Sequence, residues 1–210
     1  MSLGHKVLSV EVLASDVRRL YTDYIVGSND TSVDSLINEL KGIKENMIAN
    51  WKGPDAAIHI NYVIDTINGL IALRNTLVKL VEGASAAASQ YRMIQISNGV
   101  NSLGELSIIR TPDMGRESSF NSNPGDEIGI APDIVPTRTR LVKVMEKLNT
   151  FISEVKNVHS QIAENWVVGD GRDNLMNAFA EFINKYNSVY KPNLEKVVSN
   201  IDIALKNYLM

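Results

Sequence analysis

The stretch VDSLINELKGIKENMIANWKGPD, Val33 to Asp55, decides the fold. Counting back from Trp51, apolar residues stand at four (Met47), eight (Ile43), eleven (Leu40), fourteen and fifteen (Ile37, Leu36) and eighteen (Val33) positions. Steps of three and four place them on one helix face with the Trp at its C-terminal end. Lys52-Gly53-Pro54-Asp55 then reads as a stop and a restart. Gly53 suits the left-handed residue that ends a helix, and Pro54 suits the first position of the next one, where its missing N–H costs nothing. So short a connection sends the next helix back antiparallel.

The pattern repeats around the second tryptophan, Trp166. Ile162, Val158, Val155, Ile152, Phe151 and Leu148 stand at the same offsets before it, and Val167-Val168-Gly169-Asp170-Gly171-Arg172-Asp173 follows. Gly169 is the stop, Asp170 a natural N-cap, and Asp173 a favourable charge at the positive helix end. Each half is therefore expected to be a helical hairpin with Trp at its bend.

The return helices are long. Pro54 to about Asn98 carries Ile58, Tyr62, Ile67, Leu70, Leu77 and Val81 before the small-residue run Ala84 to Ala88. It would span about 65 Å, more than its partner, so part of it must project or pack elsewhere. The run of small residues either admits another helix closely or forms an exposed end. Asp170 to Met210 carries Leu175, Phe179, Phe182, Tyr186, Val189, Leu194, Val197, Ile201, Leu205 and Tyr208. Pro192 predicts a kink or brief break just before it. A leading amphipathic helix, roughly Val7 to Val26, precedes the first hairpin, and Thr31 to Asp34 resembles a capping box.

Between the halves, Asn101 to Pro136 holds four of the six prolines, and no long helix runs through it. It reads either as a mobile tether or as a segment whose apolar patches, Leu106 to Ile109 and Ile128 to Val135, lie extended on the helices. The expected layout is residues 1–30 as N-terminal helix and turn, 31–100 as first hairpin, 101–136 as linker and 137–210 as second hairpin. The fold class is all-α, an elongated antiparallel four-helix bundle of two hairpins plus an N-terminal helix. Isolated hairpins would expose apolar stripes, so the two are expected to pair.

Composition narrows the function. The chain has 210 residues, 44% apolar and 21% charged, with net charge −3 and no cysteine, which removes disulfides, thiol nucleophiles and Cys-ligated metals. The slight acidity argues against nucleic acid. No run of 18 or more consecutive apolar residues predicts a membrane span, and the N-terminal stretch is a poor secretory signal. No nucleophile elbow, phosphate loop or His-Glu-x-x-His appears. Carboxylate pairs such as Glu39 with Glu45 and Glu146 with Glu154 read as solvated helix faces. Asp170, Arg172 and Asp173 read as capping rather than as a calcium loop, whose ligand slot Arg172 would occupy. His59 and His159 lack a metal-spaced partner. No catalytic, cofactor or metal residue is therefore expected. Trp51 and Trp166 admit two compatible roles, plugs for the hairpin ends or a recognition surface.

A helix, a Trp-x-Gly bend and an antiparallel return helix resemble the WXG-hairpin family of small helical proteins associated with type VII secretion. Trp51-Lys52-Gly53 fits the motif directly, and Trp166-Val167-Val168-Gly169 departs from it by one inserted residue. Members usually pair as dimers into four-helix bundles, so the resemblance implies a fused pseudo-dimer. It also implies a non-enzymatic role through protein partners, either secretion machinery or a signal-bearing helical partner. Export would then follow a signal-peptide-independent route, the alternative being a cytoplasmic scaffold bundle. Exported members often carry a Tyr followed four residues later by Asp or Glu. Here those positions after Tyr62, Tyr91, Tyr186 and Tyr190 hold Thr66, Gln95, Tyr190 and Leu194, and the motif is absent.

Overall fold

The computed structural model describes residues 6–7, 10–27, 29–99, 110–122, 128–168 and 170–208. It is mostly helical. In chain order the elements are β1 (Lys6–Val7), α1 (Val10–Arg19), α2 (Val33–Asn50), β2 (Trp51–Lys52), α3 (Pro54–Ser97), β3 (Gly129–Ile130), α4 (Val135–Asn165), β4 (Trp166–Val168), α5 (Asp170–Lys185) and α6 (Lys191–Tyr208).

α2 is capped by Ser32, one residue later than the capping box read from the sequence. The Ser32 hydroxyl accepts from the Ser35 N–H at 3.3 Å and donates to the Gly27 carbonyl at 2.7 Å. The helix ends where Trp51 turns extended, with φ −133° and ψ 121°. Gly53 does have positive φ, +107°, but it caps the start of α3 rather than ending α2. Its ψ of 174° lies in a region open essentially to glycine alone. Pro54 opens α3 as expected.

Every residue of the two tryptophan-anchored faces from Val33 to Trp51 and from Leu148 to Ile162 is buried. α2 packs on α3 and on α4, while α3 packs on α5, α6 and α1, and α4 on α6 and α1. Thr137 of α4 donates to Asn46 late in α2 at 2.5 Å, and Lys147 pairs with Glu39 at 2.8 Å and with Asp30 at 3.7 Å. α4 therefore runs antiparallel to α2, and the two bends lie toward opposite ends of the molecule. Ala84, Ser85 and Ala88 are buried, whereas Met93, Ile94 and Ile96 are exposed near the end of α3. The long return helix thus packs along most of its length and projects at its tip. An 18-residue window within it reaches mean hydropathy 1.3, apolar enough by composition to cross a membrane, but 61% of that window is buried in this fold.

Two return-helix positions depart from expectation. Ile58 is 50% exposed, because it stands two residues, about 200° around the helix, from the buried Ile60. Val189 is also exposed and Tyr190 is buried in its place. The cause is a π-helical turn, Tyr186–Tyr190, joining α5 to α6. There the Lys191 N–H reaches back to the Tyr186 carbonyl, just before Pro192, which has no N–H to give. The break predicted before Pro192 is this widened turn. Leu175 and Tyr208 have no described side chains.

In the linker, the reading of Ile128 to Val135 as an extended apolar patch on the helices holds at β3. Leu106 to Ile109 lie outside the described residues. Ile130 is fully buried and β3 pairs antiparallel with β2, Trp51 opposite Ile130 and Lys52 opposite Gly129. α4 begins at Val135 after a single 3₁₀ turn, Pro132–Ile134. α1 begins at Val10, later than expected, because Lys6 and Val7 form β1.

Candidate functional site

The Trp51 bend brings three of the expected residues together. Trp51 is 5% exposed, and its ring stacks on His59 with centroids 5.0 Å apart and planes 24° off parallel. His59 meets Tyr62 edge-on at 5.7 Å, and its Nδ1 lies 2.6 Å from the Asp55 carbonyl oxygen. Trp51, Gly53 and Pro54 line a cleft of about 200 Å³ together with Ile128 and Ile203. The outer edge of the bend is closed by β3, and the Ala131 N–H satisfies the last α2 carbonyl, that of Asn50, at 2.8 Å. The indole is therefore a plug within the fold, and the backbone edge beside it is already paired.

The second bend repeats the device with another strand. β4 pairs antiparallel with β1, Trp166 opposite Val7 and Val168 opposite Lys6. Asp170 is the first residue of α5. Gly169 lies outside the described residues, and the side chains of Trp166, Asp170 and His159 are not among those described. Among the described residues no group of three or more His, Asp or Glu is placed to hold a metal ion.

A second site was not anticipated from the sequence. Residues 110–122 cross the seam of α2 and α3 as a strap, antiparallel to α3. The Asn75 carboxamide donates to the Met114 carbonyl at 2.9 Å and accepts from the Met114 N–H at 2.9 Å. Asn68 does the same to Glu117 at 3.0 and 2.8 Å, and Asn61 to Phe120 at 2.8 and 2.9 Å. One heptad further on, the Glu82 carboxylate accepts from the Thr111 N–H at 2.7 Å. Seven helix residues thus match three strap residues at each step. Seven residues of α-helix rise about 10.5 Å, close to the roughly 10 Å that three residues of extended chain span. Burial follows the same repeat, since within 110–120 only Thr111, Met114, Glu117 and Phe120 are half-buried and the residues between them are exposed.

Side chains add chemistry to this backbone ladder. Met114 and Phe120 pack against the core. Between them the Glu117 carboxylate meets Lys44 Nζ at 2.6 Å and Lys41 Nζ at 2.9 Å. Hydrogen bonds from Lys44 and Lys41 hold the Glu117 carboxyl below its ordinary range. Burial pulls the Lys44 ammonium down, but its hydrogen bonds to Glu117 and Glu45 outweigh that and raise it. Arg74, 5% exposed, bonds Asp34 of α2 at 2.8 Å through Nε and the Pro112 carbonyl at 2.9 Å through Nη1. It ties both helices to the strap. The signal for this site was present as Asn61, Asn68 and Asn75, poor helix formers repeated every seven residues inside one helix.

No protein-family model, curated protein or solved structure matches the chain.

Proposed function

We propose that this chain is a non-enzymatic protein associated with type VII secretion, acting through protein–protein contacts. In this reading residues 31–100 and 137–210 are two WXG-like hairpins fused as a pseudo-dimer and paired as an elongated antiparallel four-helix bundle. The observation that supports it most is the repeated architecture. Trp51 and Trp166 each end a helix, pass through a short extended segment and lead into a return helix, while α2 lies on α4 and α3 on α5 and α6. The partners are secretion machinery or a signal-bearing helical protein, and the route of export is independent of a signal peptide.

One observation favours a second reading, an intracellular scaffold bundle. Both bends have one backbone edge paired within the chain, by β3 and β1, so that edge is already taken. Fractionation of the native host separates the two. Culture medium and cells are compared with and without the type VII export ATPase, alongside a cytosolic lysis marker. Protein in the medium that vanishes with the ATPase is the expected result, and protein confined to cells in both strains overturns export.

A further inference from the structure

The geometry points to the α2–α3 seam as a binding groove for an extended peptide of the form apolar–x–x–Glu–x–x–apolar. Residues 110–122 are its intramolecular occupant, exchangeable for a partner segment of the same chemistry. This inference does not depend on export.

The groove reads backbone first. Asn61, Asn68 and Asn75 each exchange two hydrogen bonds with the N–H and C=O of one strap residue, groups that every residue except proline offers. Selectivity comes from side chains at the same three rungs. Met114 and Phe120 meet apolar surface, and the acid between them meets Lys41 and Lys44. Between these rungs Arg116, Ser118 and Ser119 are exposed, and a Cβ built at Gly115 meets nothing within 4 Å. This is the division of labour expected of an extended-peptide site, with main-chain bonds for affinity and periodic pockets for specificity.

The occupant is also shallow. No strap residue from Arg110 to Ser122 is fully buried, so its departure gives up part-buried hydrogen bonds and the contacts of Met114 and Phe120 with the core but withdraws no fully buried side chain. The three asparagines then rehydrate on the outside of a helix whose other face stays packed. A tethered strap acts at an effective concentration of roughly millimolar, enough to shield the groove from weak ligands and to yield to stronger ones.

The test uses the full chain and a fluorescein-labelled peptide of residues 110–122, read by fluorescence polarisation. In the triple variant Met114→Ser, Glu117→Lys, Phe120→Ser the internal strap is weakened. This variant, folded by circular dichroism, is expected to bind the peptide at least roughly tenfold more tightly than the wild type. Adding Asn61→Ala, Asn68→Ala and Asn75→Ala is expected to abolish that binding, as is placing Lys at the peptide's central Glu. Failure of the folded triple variant to bind overturns the proposal. Native-state hydrogen exchange of the wild type provides the second measurement. The Met114, Glu117 and Phe120 amides are expected to exchange through local opening, and exchange only by global unfolding overturns the proposal even if the triple variant does not fold. Wild-type dimers that exchange straps, with no binding of free peptide to the triple variant, would assign the groove to a second copy and overturn a partner peptide.

Discussion

Asn68 donates to the Glu117 carbonyl at 3.0 Å and accepts from the Glu117 N–H at 2.8 Å, across 49 positions of sequence. The same Glu117 places its carboxylate between Lys41 and Lys44 of the neighbouring helix. One strap residue is thus held by its backbone from α3 and by its side chain from α2. Replacing Asn68 by Ala removes two hydrogen bonds and leaves strap groups that water can reach. The expected loss is about 1–2 kcal/mol, measured by denaturant unfolding, with exchange of the Glu117 amide accelerated more than that of Met114.

The charge cluster sets a pH window for the strap. A carboxyl lowered on folding stabilises above its ordinary value, here 4.5, and loses that contribution as the pH falls through its folded value. Lys44 is raised above its ordinary 10.5, so its contribution is present below that value and fades as the pH climbs past it. Strap protection, followed by exchange at Glu117, is expected to be flat between about pH 5 and pH 10 and to fall on both sides. Glu117→Gln should abolish the acid limb. An unchanged acid limb in that variant would remove Glu117 from the account.

Gly69 lies against Tyr190 of the π-helical turn, and a Cβ at position 69 would overlap the tyrosine ring. Alanine ordinarily improves a helix by about 1 kcal/mol over glycine. Here overpacking, typically about 1–3 kcal/mol, outweighs it. Gly69→Ala is expected to lower the thermal midpoint, and Tyr190→Leu in that background should recover part of the loss. Additive effects of the two substitutions would show that the residues are not coupled.

The legible parts of this fold are those written within single elements. Val33 through Met47 and Leu148 through Ile162 repeat at three and four residues, and all the residues picked out by that spacing are buried. Pro192 signalled a break, but its form, a widened turn that exchanges Val189 for Tyr190 in the core, depends on how the backbone relieves the missing donor. The strands at the bends, two or three residues long, are too short for an alternating pattern to register. The strap was hidden for another reason. Asn61, Asn68 and Asn75 repeat by seven and Met114, Glu117 and Phe120 by three, and neither series means anything until a helix and an extended chain are laid side by side. Reading the Pro- and Gly-rich region as either tether or apolar cover left out a polar ladder that holds the chain by its backbone.

Trp51 tests whether the bend is a plug or a docking surface. Its side chain is 5% exposed and stacked on His59, while its backbone pairs with Ile130. A plug loses packing when truncated, and Trp→Ala in a core costs about 3–5 kcal/mol. Trp51→Ala is therefore expected to lower stability by that order in denaturant unfolding. Because Ile130 pairs with Trp51 through the backbone, exchange at Ile130 should accelerate as well. Trp51→Phe keeps an aromatic face against His59 and is expected to lose substantially less. A stable, fully folded Trp51→Ala chain that nevertheless lost its protein partners would reverse the assignment and make the indole a recognition element.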